Sequence, residues 1–464
     1  MSMGTLAMVA TEVGGQLIGA DRAFESVSTD TRSLSPGQLF FALRGEQYDA
    51  TQFVAEAQSR GAAGVVVEQQ CDCELPQVQV PDTRQALGIF ARAWRNGFKL
   101  PVIAVTGSNG KTTVKEMIAA IMRAEHADAD DSILATQGNL NNDIGLPLTV
   151  LELREHHRAA VLEMGANHPG EIAALAKIAA PEIGVITNAA PAHLEGFGSI
   201  ADVAAAKGEL LDELPESGTA VLNCDDTFFD YWDERRQSRN RSSFGLAATA
   251  DYRAENISEH MEAGEPTLKF TLHYPGGEID LCIGIAGRHN VENVLAAAAA
   301  AQSAGASIGA IADGLKAVVN VAGRLQPLKV GSGITIYDDS YNANPASVGA
   351  AIAFLAGMAS PRWLVLGDMG ELGDTGEALH REIGTAASEV GIDRLFCVGA
   401  LSKATAEAFG PDAEWHETLD DLWASLQKQL PAHLSILIKG SRFMGLDRLV
   451  ADVVAFGRQA DSEG

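Results

Sequence analysis

Pro101-Val102-Ile103-Ala104-Val105-Thr106-Gly107-Ser108-Asn109-Gly110-Lys111-Thr112-Thr113 decides how this chain is read. The apolar run Val102 to Val105 is expected to form a short buried strand. It stops at Thr106-Gly107, and Val114-Lys115-Glu116-Met117-Ile118 continues as a helix. A strand, a glycine loop ending in Gly-Lys-Thr and a helix together make a phosphate cradle. The glycines let backbone N–H groups turn onto an anion, and the helix N-terminus adds partial positive charge. Gly107, Ser108, Asn109, Gly110, Lys111, Thr112 and Thr113 are therefore expected to bind a nucleoside triphosphate. Lys111 would reach the terminal phosphates, and the Thr112 hydroxyl would join a Mg²⁺ coordination sphere. Only Ser108-Asn109 separates Gly107 from Gly110, so the loop is a shortened variant of the general pattern. The bland alternative, a glycine turn beside a surface lysine, fits the strand–loop–helix setting less well.

Around this stretch lie 464 residues, a length that predicts about three domains. A hydrophobic content of 46% with 47 glycines fits an α/β protein. The net charge of −27 repels nucleic acid and anionic membrane, so a phosphate ligand must be held by local cations. The five cysteines are scattered, and Cys71-Asp72-Cys73 has the wrong spacing for zinc. Free thiols in a reducing compartment are expected. No basic residue precedes Arg22, as a signal peptide would require, and no apolar run reaches a membrane span. The expectation is a cytoplasmic protein without membrane insertion, acting as a monomer.

Residues 1–83 read as a small α/β module, with strands at 38–43 and 63–67 flanking a helix at 53–60. Its polar clusters, Ser28-Thr29-Asp30-Thr31-Arg32 and Arg44-Gly45-Glu46, suit phosphate or carboxylate binding, although a lone arginine is ordinarily a surface residue. Residues 84–320 alternate strands and helices as a parallel, doubly wound sheet requires. Glu163 ends the strand starting at Ala159, at the edge where ligands of such sheets sit. It is the expected carboxylate ligand of the metal. His193 follows the next strand, 183–188. Ser199 and Asp202 open a helix that carries Lys207, which chemistry alone gives no special role. Asn290 and Asn293 share the first turn of an alanine-rich helix. Side-chain amides of this kind can pair with adenine, although Asn290 also suits a plain N-cap. Residues 321–464 form a third, Rossmann-like α/β module with strands expected at 333–337, 362–366, 395–398 and 434–438.

Taken in order, the set resembles the Mur ligase family, the ATP-dependent amide ligases of peptidoglycan synthesis. It comprises Thr106 to Thr113, Leu162-Glu163-Met164-Gly165, His193, Ala206-Lys207-Gly208, Gly287-Arg288-His289-Asn290, Gly323-Arg324, Asp338-Asp339-Ser340 and Lys439-Gly440-Ser441-Arg442. Asn139 to Pro147, Ser340 to Pro345 and Gly367 to Gly373 are most similar to the branch that adds D-alanyl-D-alanine. That resemblance implies three domains: a substrate domain (1–83), a central ATP-binding P-loop domain (84–320) and a C-terminal ligase domain (321–464). It also implies two substrates, UDP-N-acetylmuramoyl-tripeptide and D-alanyl-D-alanine, and an acyl-phosphate intermediate made from ATP.

The resemblance further implies roles for individual residues. Lys111, Glu163, His193 and Lys207 would be catalytic. Thr112, Glu163, His193 and Lys207 would hold Mg²⁺, two ions in all, and Lys207 aligns with a lysine that is N-carbamylated in similar ligases. His289, Asn290 and Asn293 would meet the adenine, Arg324 the phosphates and Asp339 the ribose. Thr31, Arg32, Arg44, Asn141 and Asn142 would hold the sugar nucleotide, with Lys439 and Arg442 for the dipeptide carboxylate. Competing readings are another Mur-type ligase such as a folylpolyglutamate synthase, a P-loop phosphotransferase, and a non-catalytic nucleotide switch.

Overall fold

In the computed structural model, which describes residues 2–45, 49–129, 131–192, 194–262, 265–318, 320–331 and 333–463, the chain builds three main α/β layers. The first is a five-stranded sheet ordered Gln16–Ile18, Gln77–Gln79, Gly64–Val67, Leu39–Phe41 and Val27–Ser28. Its one antiparallel pairing is Gln16–Ile18 with Gln77–Gln79. Helix α1 (Thr83–Arg95) follows, capped by the Asp82 side chain on the Gln85 N–H. Phe90 of α1 packs against Phe24 and Phe41, so this sheet and one face of the next share a continuous apolar core.

The central sheet holds the loop. Its strands are β1 (Val102–Thr106), β2 (Ile133–Ala135), β3 (Ala159–Glu163), β4 (Ile183–Ile186), β5 (Thr219–Asn223) and β6 (Asn240–Phe244). They are ordered β6-β5-β4-β1-β3-β2 and all parallel. Strand β1 lies in the middle, and its side chains alternate between two cores: Val102 and Ala104 on one face, Ile103 and Val105 on the other. The second face is covered by α2 (Lys111–Glu125), α4 (Asn290–Ser303) and α5 (Ile308–Lys316). Helix α3 (Ile200–Asp212) packs near the first face, and Val203 and Leu210 join that core. Parallel strands buried on both faces explain why the sequence reads as apolar runs here.

The alternation expected over 84–320 is interrupted. Arg253–Glu262, Glu265–Tyr274 and Gly277–Ile283 form a three-stranded antiparallel meander. Leu268, Phe270 and Leu272 are its buried face and extend the core that covers α4. Period-two residues of this kind need only one covered face, so a meander accommodates them where a crossover helix would not.

The C-terminal sheet contains β7 (Gln326–Val330), β8 (Ile334–Asp339), β9 (Arg362–Gly367), β10 (Arg394–Val398), β11 (Ala413–His416) and β12 (Leu434–Lys439). The order is β7-β8-β12-β9-β10-β11, with only the edge strand β7 antiparallel. Helix α6 (Pro345–Ala356) leaves β8 behind a capping box between Asn344 and Ser347. Among the described residues no helix is long and apolar enough to cross a membrane.

Helix α2, which carries the loop's lysine, is set against α5 through Gly314, where an added Cβ would lie 2.4 Å from the Ile121 Cα. Backbone cannot yield as a side chain can. Gly314→Ala is therefore expected to cost about 1–3 kcal/mol of stability through overpacking, read as a lowered midpoint in urea unfolding. An unchanged midpoint would contradict the close helix contact.

Candidate active site

The loop after β1 is held from two sides. Gly107 has φ +145°, and a Cβ there would fall 1.9 Å from Thr187 Oγ1. Gly110 has φ +80°, and its Cβ would fall 2.3 Å from Asn293 Oδ1. Both glycines are therefore required by conformation and by space. Thr187 Oγ1 donates to the Asn109 carbonyl at 2.6 Å, and the Asn109 N–H donates to Asn188 Oδ1 at 2.9 Å. Lys111 Nζ donates to the carbonyls of Gly107 and Ser108 at 2.7 and 3.2 Å, and Thr112 and Thr113 follow in the first turn of α2. Enclosure lowers the Lys111 pKa, while the nearby Glu163 carboxylate pulls it upward.

Glu163 ends β3, the strand beside β1, and is 3% exposed. Its Oε1 accepts from Asn141 Nδ2 at 2.8 Å, while Oε2 is buried with no hydrogen-bond partner. An orphaned carboxylate oxygen next to a phosphate loop fits a divalent cation that would satisfy it. Lys207, on α3, is 2% exposed, with its Nζ 5.4 Å from the Phe197 ring centroid. Burial is the main cause that brings its pKa down to about 7, and Lys111 repels it further. His193 lies outside the described residues.

Across the loop the C-terminal sheet closes a cleft. One cavity of about 310 Å³ is bounded by Asn109, Gly110, Asn188, Phe244, His289 and Asn293 on one side and by Arg324, Asp339 and Lys439 on the other. A neighbouring cavity of about 420 Å³ runs past Lys111 to Asn344, Glu371, Arg442 and Phe443. Arg324 stacks on Tyr341 at 4.4 Å. Asn344, while capping α6, donates through Nδ2 to Asn109 Oδ1 at 2.8 Å, a contact between residues 235 apart in sequence.

The structure brings most of the expected residues to this cleft and gives several of them other partners. Asn290 donates to the Ala286 carbonyl at 2.6 Å and accepts from Asn293 at 2.7 Å, so the two amides hold each other. Lys439 was expected at the dipeptide carboxylate. It is 1% exposed and donates to Asp339 Oδ2 at 2.6 Å and to the Asn342 carbonyl at 2.9 Å, because the two residues are register partners on β8 and β12. Arg442 is exposed near Asp447, 5.7 Å from the Tyr341 ring centroid. In the first sheet, Thr31 donates to Glu56 and Arg32 pairs with Asp30, whereas Arg44 borders a hollow with Asp49, Thr51 and Cys71. Asn142 accepts from the Gly145 N–H at the start of a helix. Glu292 and Asn188 also line the cavity of about 310 Å³. Sequence reasoning passed over both, since an acid in a helix's first turn reads as a partner of the dipole.

A second cluster, Asp131, His156 and His157, brings potential ligand atoms within 4.8 Å of one another. His157 Nδ1 accepts from the Arg154 N–H at 2.9 Å, which puts the neutral ring's proton on Nε2 and removes the lone pair an ion would need.

Three family models cover nearly the whole chain. Residues 23–95 match the Mur ligase family, catalytic domain; 105–301 match the Mur ligase middle domain; 323–442 match the Mur ligase, glutamate ligase domain. The chain belongs to the Mur ligase family. Among Mur ligases, it is 43% identical to the UDP-N-acetylmuramoyl-tripeptide–D-alanyl-D-alanine ligase of Escherichia coli, over 96% of this chain and 97% of that one. It is 37% identical to the Bacillus subtilis ligase of the same description, over 92% and 93%. The crystal structure of MurF from Acinetobacter baumannii superposes with a TM-score of 0.90 at 34% identity, covering 97% of this chain and 99% of the other.

Breaking the Lys439–Asp339 pair tests how far the Mur ligase cleft depends on it. Lys439→Met leaves a buried, unpaired carboxylate and is expected to cost about 3–5 kcal/mol. The double variant Lys439→Met/Asp339→Asn should recover most of that loss in urea unfolding. Equal stability of the single variant and the parent would refute the coupling.

Proposed function

We infer that this chain is the ligase that joins D-alanyl-D-alanine to UDP-N-acetylmuramoyl-tripeptide in peptidoglycan precursor synthesis, consuming ATP. One observation carries the reading: a phosphate loop faces the strand ends of a second α/β sheet across a cleft, in a chain similar end to end to ligases of that description. A peptide carboxylate attacks the γ-phosphorus, the bond to the β–γ bridging oxygen breaks, and ADP leaves an acyl phosphate. The amine of D-alanyl-D-alanine then adds to the acyl carbon, loses a proton, and the tetrahedral intermediate expels phosphate.

The chemical problem is to press a carboxylate against a triphosphate, and positive charge must supply most of the solution. We assign the phosphates to Lys111 and to the N–H groups of Gly110 to Thr113, since those of Ser108 and Asn109 donate to Asn188, with Arg324 approaching from the third sheet. Thr112 and Glu163 would hold one Mg²⁺, His193 and Lys207 a second, and these ions would neutralise charge on the phosphates and the acyl oxygens. Asn293, Asn290 and His289 border the base, and Asp339, held by Lys439, would take the ribose hydroxyls. Arg44 and Asn141 are the stronger candidates for the sugar nucleotide, with Thr31, Arg32 and Asn142 behind them. Arg442 replaces Lys439 as the candidate for the dipeptide carboxylate.

Lys207 has a further role in this scheme. A buried amine whose pKa is lowered to about 7 is about half uncharged at neutral pH. Such an amine can add to CO₂, lose one proton and become a carbamate, an anionic ligand where an ammonium would repel the ion. We take the chain to act as a monomer, and the use of ATP with a uridine-linked precursor supports a cytoplasmic reaction. No groove or basic surface for nucleic acid is required.

Phosphate release is expected only when ATP, UDP-N-acetylmuramoyl-tripeptide and D-alanyl-D-alanine are all present, with a pentapeptide product by mass spectrometry. Release with folate and glutamate, or a phosphorylated product without an amide, would reject the reading in favour of another class. Lys207→Ala should lower kcat by at least about 100-fold, and acetate or formate should restore part of it. Undiminished activity in that variant removes Lys207 from the site.

A further inference from the structure

Arg324 borders both cavities of the cleft, and Arg442 borders the one that runs past Lys111. Tyr341, half-buried in the loop after β8, lies against both of them. The Arg324 Cζ is 4.4 Å from the centre of its ring and the Arg442 Cζ 5.7 Å. Both fall within the roughly 6 Å over which an aromatic ring attracts a cation. The backbone under the ring is fastened residue by residue. The Ser340 N–H donates to Asp338 Oδ1 at 3.0 Å, the Tyr341 N–H to the Gly323 carbonyl at 3.2 Å, and the Asn342 carbonyl accepts from Lys439 at 2.9 Å. Gly323 has φ +70°, and a Cβ there would fall 3.1 Å from the Tyr341 Cβ. The hinge that carries Arg324 and the loop that carries the ring are therefore in close contact.

We propose that Tyr341 is a positioning residue whose ring holds Arg324 and Arg442 at the cleft, ready for two anionic groups: the phosphates of ATP and the carboxylate of the acceptor dipeptide. This rests on the functional reading above and deepens it. Among the described residues Arg324 makes no ion pair, and the Tyr341 hydroxyl makes no hydrogen bond. The positive charge of Arg324 acts on Lys111 and Lys439, so its cationic neighbours push it away rather than hold it. Arg442 has Asp447 at 3.5 Å, an exposed pairing of small worth. The ring is thus the group that can hold Arg324 in place. A carboxylate would hold either arginine as firmly, but it would cancel the charge that the ligand needs. An aromatic face attracts the guanidinium through its quadrupole and leaves the N–H donors for an oxyanion. Mounting both cations on one ring also ties the two anionic ends of the reaction to a single fastened loop.

The test reads two constants on the full chain. One is the Kd of β,γ-imido-ATP by titration calorimetry. The other is the KM of D-alanyl-D-alanine, from phosphate release at saturating ATP and UDP-N-acetylmuramoyl-tripeptide. Tyr341→Leu keeps apolar bulk without a ring, and is expected to raise both constants about two- to fivefold, the worth of one exposed cation–ring contact. Tyr341→Phe keeps the ring and loses only the hydroxyl, so it should match the parent in both. A double-mutant cycle separates positioning from general packing. In an Arg324→Ala background, Tyr341→Leu should leave the Kd where Arg324→Ala alone puts it. In an Arg442→Ala background it should likewise leave the KM unchanged. Parent-like constants in Tyr341→Leu overturn the proposal. So does an effect that adds in full on both arginine backgrounds, or one that Tyr341→Phe shares. Each of these results leaves the functional reading standing. A parent chain that binds no β,γ-imido-ATP, or that releases phosphate without the dipeptide, rejects that reading and the proposal with it.

Discussion

Thr187 Oγ1 reaches the Asn109 carbonyl at 2.6 Å, and this short bond fixes the phosphate loop against the next strand of the sheet. The loop's form depends on it. Because Thr187 stands so close, position 107 can hold no side chain, and because Asn293 stands over position 110, that one cannot either. The two glycines then leave the start of α2 facing the cleft, while the Ser108 and Asn109 N–H groups are tied to Asn188. Strand β4 and helix α4 thus act as a mould for a loop that has little rigidity of its own. The order β4-β1-β3 puts Thr187 on one side of the loop and Glu163 on the other. A donor-rich turn and a carboxylate with an unsatisfied oxygen meet at the same edge of the sheet for that reason.

Electrostatics here works against the overall charge of the molecule. A chain carrying −27 handles polyanionic substrates by placing individual cations inside the fold. Lys115, Lys207 and Lys439 are almost fully buried. Lys115 bonds to Glu116 and to the Thr136 carbonyl, and Lys439 to Asp339 and the Asn342 carbonyl. Lys207 has an aromatic ring beside it and a depressed pKa. Three buried lysines therefore meet three fates, set by whether an acceptor lies within reach. Screening by salt acts weakly on such sites, since little water lies between the charges.

Much of the fold is legible locally. The runs Val102 to Val105, Arg362 to Leu366 and Leu434 to Ile438 become strands within a residue of where the apolar pattern places them. Ser199 caps the helix of Lys207, as Ser-x-x-Asp indicates. The meander at 253–283 is hidden by the expectation of β/α alternation, although Leu268, Phe270 and Leu272 alternate as a half-buried strand should. For the site, the loop, Glu163 and Asn293 are visible because motif chemistry is local. Lys439 misleads for the opposite reason: its partner Asp339 lies 100 residues away, joined to it only by strand register. Glu292 is in plain view between two asparagines, yet only the shape of the cavity shows that it lines the wall.

The amide of Asn344 does two jobs with its two ends, starting α6 through Oδ1 and touching the phosphate loop through Nδ2. A recombinant swap that grafts the last third of a related enzyme onto this body could keep both pieces well folded and still lose their alignment. The newcomer must bring a residue that begins a helix and spans the gap at once. Interchangeability of these modules thus depends on this side chain, together with the bond from the Glu195 N–H to the Glu371 carbonyl between the same two modules.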